Sequence, residues 1–505
     1  MYAIANRRDA KDPDSPESIV THGRGLGFDL EHRTLTTDLF ASNMTELDSL
    51  HYLHPFTDPS VLRANGGACV VTRGEGCHVF THEGKKLLDG MAGLWCVHIG
   101  YGHPEMVRAI AEQAATLPFF NSFSGYAPDI TIRLAAALAE LAPPLINTFF
   151  FTSSGSEAND TIFKLARLYW NLQGKSEKRL FITRRYAYHG VSGVSTSLSG
   201  LDLMHSRWGY PLSSINLHIE GPYKFMHGRG QTDEEYGDAC ARALERKIAE
   251  IGADNIAAFM AEPVYGAAGV IVPPPNYWRA INQICREHGI LICADEVVCG
   301  FGRTGEWFGS DLYGIEADFL TLAKGLTSGY VPMGAVGVAD RIAEVVRARS
   351  GLIPHGFTYS GHPIAAAAAL KSIEILKKEK LVERVRDDIG PYLQARYATL
   401  TDHPLVSEVR GVGLMAALEV VADKKTCQPF PEEARVAYIA QAMCARRGLI
   451  MRAMRDTLYC APPFTISRPE IDFLVDTTRD ALDATMQALD KPRRRESANV
   501  LSRAE

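Results

Sequence analysis

The sequence lacks several features that would each assign the protein to a narrow class. No uncharged run is long enough to span a bilayer, no pair of its ten cysteines has CxxC or zinc-site spacing, and Asp and Glu (59) outnumber Lys and Arg (53). The net charge of −6 disfavours a basic surface for nucleic acid or acidic lipid. We therefore expect a cytoplasmic protein with reduced cysteines and no metal site, nucleic-acid partner or membrane contact, whose ligands are small molecules.

A change of pattern along the chain predicts three parts. Residues 1–95 begin with a polar arm of about 50 residues, expected to be partly disordered or draped over another surface, and continue as alternating strands broken by glycine. Residues 96–375 form a large domain, and residues 376–505 form a smaller α+β domain that ends in a polar tail. A chain of 505 residues is long enough for such a division.

Short apolar runs alternate with amphipathic helical patterns through the large domain. This alternation predicts an α/β fold, in which a mostly parallel sheet is covered by helices on both faces. Ligands of such sheets bind beyond the carboxyl ends of the strands. The apolar runs are 146–152, 179–183, 256–262, 290–296, 319–325 and 334–338.

Charged residues occur at the ends of three of these runs, namely Glu262, the pair Asp295 and Glu296, and Lys324. In a parallel sheet these side chains would meet at one edge. Each residue alone is compatible with a buried ion pair, but the convergence of several favours a reactive site. A lysine whose pKa is lowered by desolvation can form a Schiff base with a carbonyl compound.

A predicted helix begins directly after the first run, in "TSSGSEANDTIFKLARLYW" (152–170). Ser154 and Glu157 match the S-x-x-E capping box, so Gly155 and Ser156 lie at the helix N-terminus. Free backbone N–H groups and the helix dipole favour an anion there, and glycine permits the close approach of a phosphate. An ordinary helix cap without a ligand is the simpler interpretation when this motif is taken alone.

Together these features supply the parts of a pyridoxal 5′-phosphate site. Lys324 offers an amine for the aldehyde, Asp295 a carboxylate for the pyridine nitrogen, and Tyr188 an aromatic ring for stacking. The chain further contains, in order, "SSGSEAND", "YHG", "AEPVYGAAGVIVPP", "ADEVVCGFGRTGEWFG", "LAKGLTSGYVPMGAV" and "HGFTYSGHPIAAAAAL". This series resembles a class III pyridoxal-phosphate aminotransferase of fold type I, and the resemblance covers about residues 70 to 470.

The resemblance implies roles for individual residues. Lys324 corresponds to the lysine that carries the cofactor and then acts as the general base, and Asp295 corresponds to the partner of the pyridine nitrogen. Thr358 corresponds to a threonine that reaches the phosphate of the neighbouring subunit, which implies a homodimer or tetramer with shared active sites. The implied cofactor-binding set is Ser154, Gly155, Ser156, Tyr188, His189, Glu262, Asp295, Val297, Lys324 and Thr358.

Within the class, "DGMAGLWCVHIGYGHPEM" and "GLIMRAMRDTLYCAPP" resemble the ω-aminotransferases. The resemblance implies a ping-pong transfer of an amino group from an amine or ω-amino acid to pyruvate, with alanine as the product. It also implies substrate contacts from Trp95, Tyr188 and Arg452. Arg452 matches an arginine that binds a carboxylate and swings away from an uncharged amine, which suits a guanidinium fork on a flexible stem.

Two departures from the family pattern concern the choice of amino donor. Tyr265 stands where related amine transaminases often carry glutamine, and Met454 and Arg455 stand where smaller or neutral residues are common. Arg455 either adds a second cation that favours an acidic donor such as taurine or β-alanine, or points to solvent. The donor stays open between amines, diamines and ω-amino acids.

Three other functions fit parts of the sequence. An aminomutase, decarboxylase or racemase would use the same cofactor, lysine and aspartate. A nucleotide-binding oxidoreductase would use a glycine-rich turn after a strand, but "SGSE" is not G-x-G-x-x-G. A non-catalytic protein of the same fold would not need Lys324, Asp295 and Tyr188 together.

Overall fold

The computed structural model describes residues 44–64, 66–212 and 214–490. The chain divides into two compact units, Met1–Val70 and Val71–Glu505. The described part of the first unit contains helices α1 (Met44–His51) and α2 (Pro59–Ala64). Most of the predicted polar arm and the predicted polar tail lie outside the described residues.

The second unit contains all the described strands and the other described helices. Its strands are β1 (Val71–Glu75), β2 (His78–Thr81), β3 (Lys86–Asp89), β4 (Ile146–Thr152), β5 (Leu180–Arg184), β6 (Asn216–Ile219), β7 (Ile256–Ala261), β8 (Leu291–Asp295), β9 (Phe319–Leu322), β10 (Gly334–Ala339), β11 (Val406–Val412), β12 (Met415–Val420), β13 (Leu449–Ile450), β14 (Arg452–Met454) and β15 (Thr457–Cys460). Its α-helices are α3 (Ala92–Trp95), α4 (Pro104–Thr116), α5 (Asp129–Leu141), α6 (Gly155–Leu172), α7 (Gly193–Leu198), α8 (Lys224–His227), α9 (Asp233–Ile251), α10 (Tyr277–Glu287), α11 (Gly309–Tyr313), α12 (Asp340–Arg349), α13 (Pro363–Lys378), α14 (Leu381–Arg384), α15 (Gly390–Ala398), α16 (Val436–Arg446) and α17 (Arg468–Asp490).

The large central sheet has the strand order β4-β10-β9-β8-β7-β5-β6. Neighbouring strands from β9 to β6 run parallel, whereas β10 runs antiparallel to both β4 and β9. The prediction of a mostly parallel sheet is confirmed, and the run 334–338 is the antiparallel member. Its direction follows from the short connection after β9, because a parallel crossover needs a longer segment, usually a helix.

Helices cover both faces of this sheet. Along β8, Leu291 and Cys293 pack in one core with Ile162 of α6, while Ile292 packs in a second core with Ile281 of α10. Successive side chains of a strand point to opposite faces, so these two cores lie on opposite sides of the sheet. Every residue of β7, β8 and β9 is buried, which explains their uninterrupted apolar sequences.

Two smaller sheets complete the second unit. Strands β1, β2 and β3 form the predicted meander, and β13 joins β3 in parallel by pairing Leu449 with Leu88. The other sheet is antiparallel, with the order β11-β12-β15-β14. Turns at Gly413 and Arg455, both with positive φ, separate β11 from β12 and β14 from β15. The predicted domain boundaries after residues 95 and 375 stay predictions.

Strand β6 and helix α9 are among the described elements that have no counterpart in the predicted pattern. The four residues of β6, NLHI, are too few and too polar to form a recognisable apolar run. Within the three described ranges, no helix combines the length and the hydropathy needed to cross a bilayer. All ten cysteines are described, and all are free thiols.

Candidate active site

A cavity of about 130 Å³ lies at the carboxyl ends of β7, β8 and β9. This is the edge at which a parallel sheet is expected to bind its ligand. The cavity brings together most of the predicted site residues, but Ser154, Thr358, Trp95 and Arg452 are not part of its lining. It is lined by Gly155, Ser156, Asn159, Tyr188, His189, Gly190, Glu262, Asp295, Val297, Val298, Ala323 and Lys324.

Lys324 begins a 3₁₀ turn, Lys324–Thr327, shortly after β9. Its φ of 46° lies in the left-handed region, which lysine adopts only where the surrounding structure holds it. Burial lowers the pKa of the Lys324 amine and the charge of Arg452 adds to this effect, while Asp295 and Glu262 oppose it. A lysine with a lowered pKa is more often neutral, and its amine is therefore a better nucleophile.

Asp295 is the last residue of β8 and is 3% exposed. Its Oδ2 accepts hydrogen bonds from Nδ1 of His189 (2.7 Å) and Nδ2 of Asn159 (3.0 Å). Its Oδ1 accepts a third from the backbone N–H of Val297 (3.1 Å). The acid is thus held in one orientation at the wall of the cavity.

Asn159 lines the cavity but is absent from the predicted set. Besides its bond to Asp295, its Nδ2 donates to the backbone carbonyl of His189 (2.7 Å), and its Oδ1 accepts from Oγ1 of Thr321 (2.6 Å). It therefore connects α6 to the ends of two neighbouring strands. The motif "SSGSEAND" held a clue, because Asn159 follows Gly155 by four residues and so lies on the same side of the helix.

Glu262, the residue after β7, is held by backbone donors. Its Oε1 accepts from the N–H of Tyr188 (3.1 Å), and its Oε2 accepts from the N–H of Gly266 (2.9 Å). Nη2 of Arg184 donates to the backbone carbonyl of Glu262 (2.6 Å). Burial raises the pKa of Glu262, and repulsion from Asp295 contributes to the rise. The cavity therefore contains two carboxyl groups with different surroundings.

The start of α6 is capped almost as predicted. Oγ of Ser154 accepts a hydrogen bond from the N–H of Glu157 (3.2 Å), which is one half of the capping box. The other half differs, because Oε2 of Glu157 accepts from the N–H of Ser153 (2.7 Å), one residue before the cap. The Glu157 side chain thus binds the backbone one residue earlier than the capping-box pattern predicts. The two hydrogen bonds together still fix the start of the helix.

Two glycines keep space open beside this helix start. A Cβ on Gly155 would lie 3.0 Å from Cγ2 of Val297 and 3.6 Å from Cβ of Ala323. A Cβ on Gly190, whose φ is 124°, would lie 2.4 Å from Oγ of Ser156. The first N–H groups of a helix have no intrahelical partner, so an anion can approach them where side chains are absent.

Two of the three predicted substrate residues lie outside the cavity lining. Trp95 is 2% exposed and stacks on Tyr459, with ring centroids 5.5 Å apart. Tyr459 in turn pairs with Arg452 across β14 and β15. Burial raises the pKa of Tyr188, and the positive charge of Arg452 opposes this rise. Tyr188, the third predicted substrate residue, does line the cavity. Arg452 is therefore close enough to act electrostatically on a residue of the cavity wall.

The residues that depart from the family pattern also lie outside the lining. Tyr265 is buried, and the guanidinium of Arg184 lies 4.1 Å from its ring centroid. Arg455 is exposed, and its guanidinium lies 4.5 Å from the ring centroid of Tyr186. Thr358 is exposed as well. Neither Tyr265 nor Arg455 therefore shapes the wall of the cavity directly.

The residues present fit pyridoxal phosphate by the chemistry that they offer. Lys324 provides an amine, Asp295 an oriented acid, Tyr188 an aromatic ring, and Gly155 an open helix N-terminus that a Cβ would narrow. No group of His, Cys, Asp or Glu in the described part of the chain is arranged to hold a metal ion.

Comparisons with known proteins agree with one another. The family model described as "Aminotransferase class-III" matches residues 62–482. A putrescine–pyruvate aminotransferase of Pseudomonas aeruginosa is 48% identical over 439 residues, which cover 87% of this chain and 95% of that protein. A thermostable (S)-enantioselective ω-transaminase from Thermomicrobium roseum has a TM-score of 0.85 and is 45% identical, covering 88% of this chain and 99% of that one. The ω-transaminase from Pseudomonas jessenii in complex with PMP also has a TM-score of 0.85, at 39% identity and with the same coverage.

Proposed function

The chain belongs to the class III aminotransferases, and from this premise we propose that it moves the amino group of an amine or ω-amino acid to pyruvate and forms alanine. It is a transaminase with the type I fold, and its cofactor is pyridoxal 5′-phosphate. The observation that carries the proposal is the cavity in which the Lys324 amine, with its lowered pKa, shares the wall with Asp295. The similarity to a putrescine–pyruvate aminotransferase supports an amine donor and pyruvate as the acceptor.

Several residues of the cavity would hold the cofactor under this proposal. Asp295, oriented by His189 and Asn159, would hold the pyridine nitrogen. Gly155 and Ser156 at the N-terminus of α6 would bind the phosphate. Tyr188 and Val297 would pack against the ring, and Glu262 would hold the side of the ring that carries the hydroxyl. When bound, the cofactor supplies an electron sink that allows the substrate Cα to lose a proton.

Lys324 is the residue that moves this proton. Burial favours its neutral amine, which can accept a proton from the substrate. The carboxylates of Asp295 and Glu262 have the opposite effect and stabilise the ammonium once it has formed. A base whose pKa is brought towards the working pH both accepts and releases protons efficiently.

Arg452 is the residue that distinguishes the two substrates. Its guanidinium fork suits the carboxylate of pyruvate and of the alanine product, which it can bind through two hydrogen bonds. A diamine donor offers no carboxylate and carries a second positive charge, so Arg452 has to withdraw from it. In support, Arg452 is half-buried on β14 and pairs with Tyr459, the ring on which Trp95 stacks. Its charge acts on Tyr188 and Lys324, which line the cavity.

Replacing Lys324 tests the proposal directly. Lys324→Ala is expected to lower the rate of alanine formation by about 10²–10⁴-fold or more, because general-base catalysis is lost. The visible absorbance of the lysine-bound cofactor should disappear as well. Lys378→Ala is the matched control, since Lys378 is exposed and bonded to Glu105 (2.6 Å), away from the cavity. A Lys324→Ala enzyme that kept both activity and absorbance would contradict the proposal.

A donor panel separates the remaining functions. Alanine formed from pyruvate is measured with a diamine, a monoamine, β-alanine and taurine as donors. We expect the diamine to have the highest kcat/KM, in line with the similarity to a putrescine–pyruvate aminotransferase. An aminomutase or decarboxylase that uses pyridoxal phosphate would convert its amino-acid substrate but would form no alanine from pyruvate in this assay.

We also propose that the protein is a homodimer, or a tetramer built from dimers, with active sites shared between subunits. Large exposed apolar side chains occur in the segment of Thr358 and next to it: Tyr359, the following residue, is 58% exposed, Leu352 is 87% exposed, and Phe119 is 39% exposed. Phe119 and Tyr359 are in edge contact with centroids 5.6 Å apart, and Leu352 borders a groove of about 790 Å³. Exposed apolar patches of this kind mark interaction surfaces, and a second copy of the chain is the partner that would bring Thr358 to another active site.

A cytoplasmic location is proposed on the state of the cysteines. All ten are free thiols, and a reducing compartment keeps thiols in this state. Fractionation of cells that produce the protein tests this location.

A further inference from the structure

Arg452 and Arg455 lie on the same hairpin. In this hairpin, β14 and β15 pair Arg452 with Tyr459 and Met454 with Thr457. Arg455 occupies the turn between the strands, with a φ of 53°. Any contact that fixes this turn therefore also restricts the position of Arg452, three residues earlier.

The side chain of Arg455 makes such a contact. Its guanidinium lies 4.5 Å from the ring centroid of Tyr186 and 5.8 Å from that of Tyr223. The two rings meet edge to face, with centroids 5.7 Å apart and an interplanar angle of 85°. We call these three residues the Arg455 stack. A guanidinium over tyrosine faces is a favourable cation–π arrangement that also restricts the rotamers of the arginine.

One side of the stack leads to the cavity. Tyr186 precedes Tyr188 by two residues, and its backbone is fixed by a hydrogen bond from its N–H to the carbonyl of Gly200 (2.8 Å). Tyr188 lines the cavity and donates its own N–H to Glu262. The stack thus joins the hairpin of Arg452 to the segment that forms the cavity wall.

The other side of the stack is also fixed. Tyr223 is 3% exposed and donates its hydroxyl to Glu419. Glu419 accepts a further hydrogen bond from Oγ1 of Thr457 (3.0 Å) and pairs with Arg410 (2.7 Å). Because Thr457 begins β15, the ring of Tyr223 is connected to the same hairpin that Arg455 caps.

We propose that Arg455 is a positioning residue, which holds the hairpin of Arg452 against the Tyr186–Tyr188 segment and does not itself bind substrate. The proposal rests on the proposed function of Arg452 in carboxylate recognition. Arg455 borders a separate cavity of about 120 Å³ together with Tyr223 and Glu419, and it is not part of the Lys324 cavity. Its effect on substrates is therefore indirect and passes through the position of Arg452.

Steady-state kinetics of Arg455→Ala test this role. We expect the KM for pyruvate to rise about 5- to 10-fold, because the Arg452 hairpin is less restrained. The KM for a monoamine donor, which brings neither a carboxylate nor a second positive charge to Arg452, should change by less than about 2-fold, and so should kcat. Arg455→Lys, which keeps the charge, should restore part of the pyruvate KM.

A matched control and a ring variant separate positioning from direct binding. Arg435→Ala removes another exposed arginine at positive φ that lies over a tyrosine, Tyr438, at 4.6 Å, and it should leave both KM values unchanged. Tyr186→Leu should raise the KM for pyruvate as Arg455→Ala does, and the double variant should be no worse than either single one. If Arg455 bound substrate directly, Tyr186→Leu would leave the KM for pyruvate unchanged, which would overturn the proposal.

Hydrogen exchange gives a readout that does not require turnover. Amides of residues 452–460 should exchange faster in Arg455→Ala and in Tyr186→Leu than in the wild-type holoenzyme, and at the wild-type rate in Arg435→Ala. Unchanged exchange in both stack variants would overturn the positioning role. A wild-type enzyme that formed no alanine from pyruvate would instead refute the proposed function, and the exchange result would still report on the stack.

Discussion

Asp295 and Glu296 are adjacent acids at the end of β8 with different surroundings. Asp295 faces the cavity and accepts from His189 and Asn159. Glu296 accepts hydrogen bonds from the N–H groups of Gly309 (2.9 Å) and Ser310 (2.6 Å), at the start of α11. Only the first is therefore placed to meet a ligand, and the second connects β8 to the next segment of the chain.

The carboxyl group of Glu296 predicts a pH dependence of stability. Burial is the main cause that raises its pKa from 4.5 to about 7 in the folded protein. The folded state then binds this proton more tightly than the unfolded state, so Glu296 lowers the free energy of unfolding as pH rises from 4.5 towards 7. Glu296→Gln has no carboxyl group that loses its proton here, so its stability does not fall for this reason. The free energy of unfolding of the variant minus that of wild type should therefore rise by about 3 kcal/mol between pH 4.5 and pH 7.

Urea unfolding of both proteins at pH 5 and pH 8 measures this difference. Glu374→Gln is the control, because Glu374 is exposed and pairs with Lys371 on the surface. Its free energy of unfolding should differ from that of wild type only by the contribution of a surface ion pair, about 0–1 kcal/mol. If the free energy of unfolding of Glu296→Gln, taken relative to wild type, fell between pH 5 and pH 8, the change would have the opposite sign and would contradict this prediction for Glu296.

At the residue scale, the sequence predicts the charged part of the site but not its neutral part. Lys324, Asp295 and Glu262 are recognisable because each is a charge at the end of an apolar run. Asn159 is uncharged and lies within a polar stretch, so its position in the sequence does not set it apart. Its contacts with Asp295 and Thr321 arise only when α6 packs across the strand ends. The buried position of Tyr265 next to the guanidinium of Arg184 likewise depends on tertiary packing.

At the scale of elements, helix α6 begins at Gly155, where there is little room for a side chain. Gly155→Ala is expected to weaken cofactor binding, because the new Cβ would lie 3.0 Å from Cγ2 of Val297, the side chain proposed to pack against the ring, and would narrow the helix N-terminus proposed to bind the phosphate. Overpacking of this kind costs about 1–3 kcal/mol, so the cofactor concentration for half-maximal reconstitution of the apoenzyme should rise roughly 10-fold.

Gly193→Ala provides the matched control for this substitution. Gly193 is also the first residue of a helix, α7, and its new Cβ would lie 3.4 Å from the hydroxyl of Tyr210, an ordinary contact. Its reconstitution curve should match that of wild type. Equal curves for the two alanine variants would show that Gly155 is not needed for cofactor approach.

Strand existence was more predictable than strand direction. The runs of β7, β8 and β9 are apolar throughout because both faces of the sheet are covered, and this pattern identified them. A fully buried strand shows the same composition in either direction, so nothing in "GAVGV" indicated that β10 would run antiparallel. Only the short connection from β9 accounts for it.

At the scale of the whole molecule, the proposed shared site can be tested by mixing subunits. In a heterodimer of Lys324→Ala and Thr358→Ala chains, one site receives an intact Lys324 from one chain and an intact Thr358 from its partner. We therefore expect the heterodimer to recover about half of the wild-type activity at limiting cofactor, whereas both homodimers stay below it.

Two different affinity tags allow the heterodimer to be purified after co-expression. Thr401→Ala replaces Thr358→Ala in the control heterodimer, because Thr401 lies in a 3₁₀ turn far along the chain from the site. That heterodimer should show half activity whether sites are shared or not. A Lys324→Ala and Thr358→Ala heterodimer no more active than the Thr358→Ala homodimer would place Thr358 in its own subunit's site.

The parallel pairing of β3 with β13 affects the order in which the chain can fold during synthesis. Leu88 and Leu449 are partners in this pairing, yet about 360 residues separate them along the chain. At a translation rate of about 5–20 residues per second, the meander waits roughly 20–70 s for the strand that completes its sheet. During that time the open edge of β3 is available to other chains, so a chaperone that shields nascent strands should increase the yield of folded enzyme.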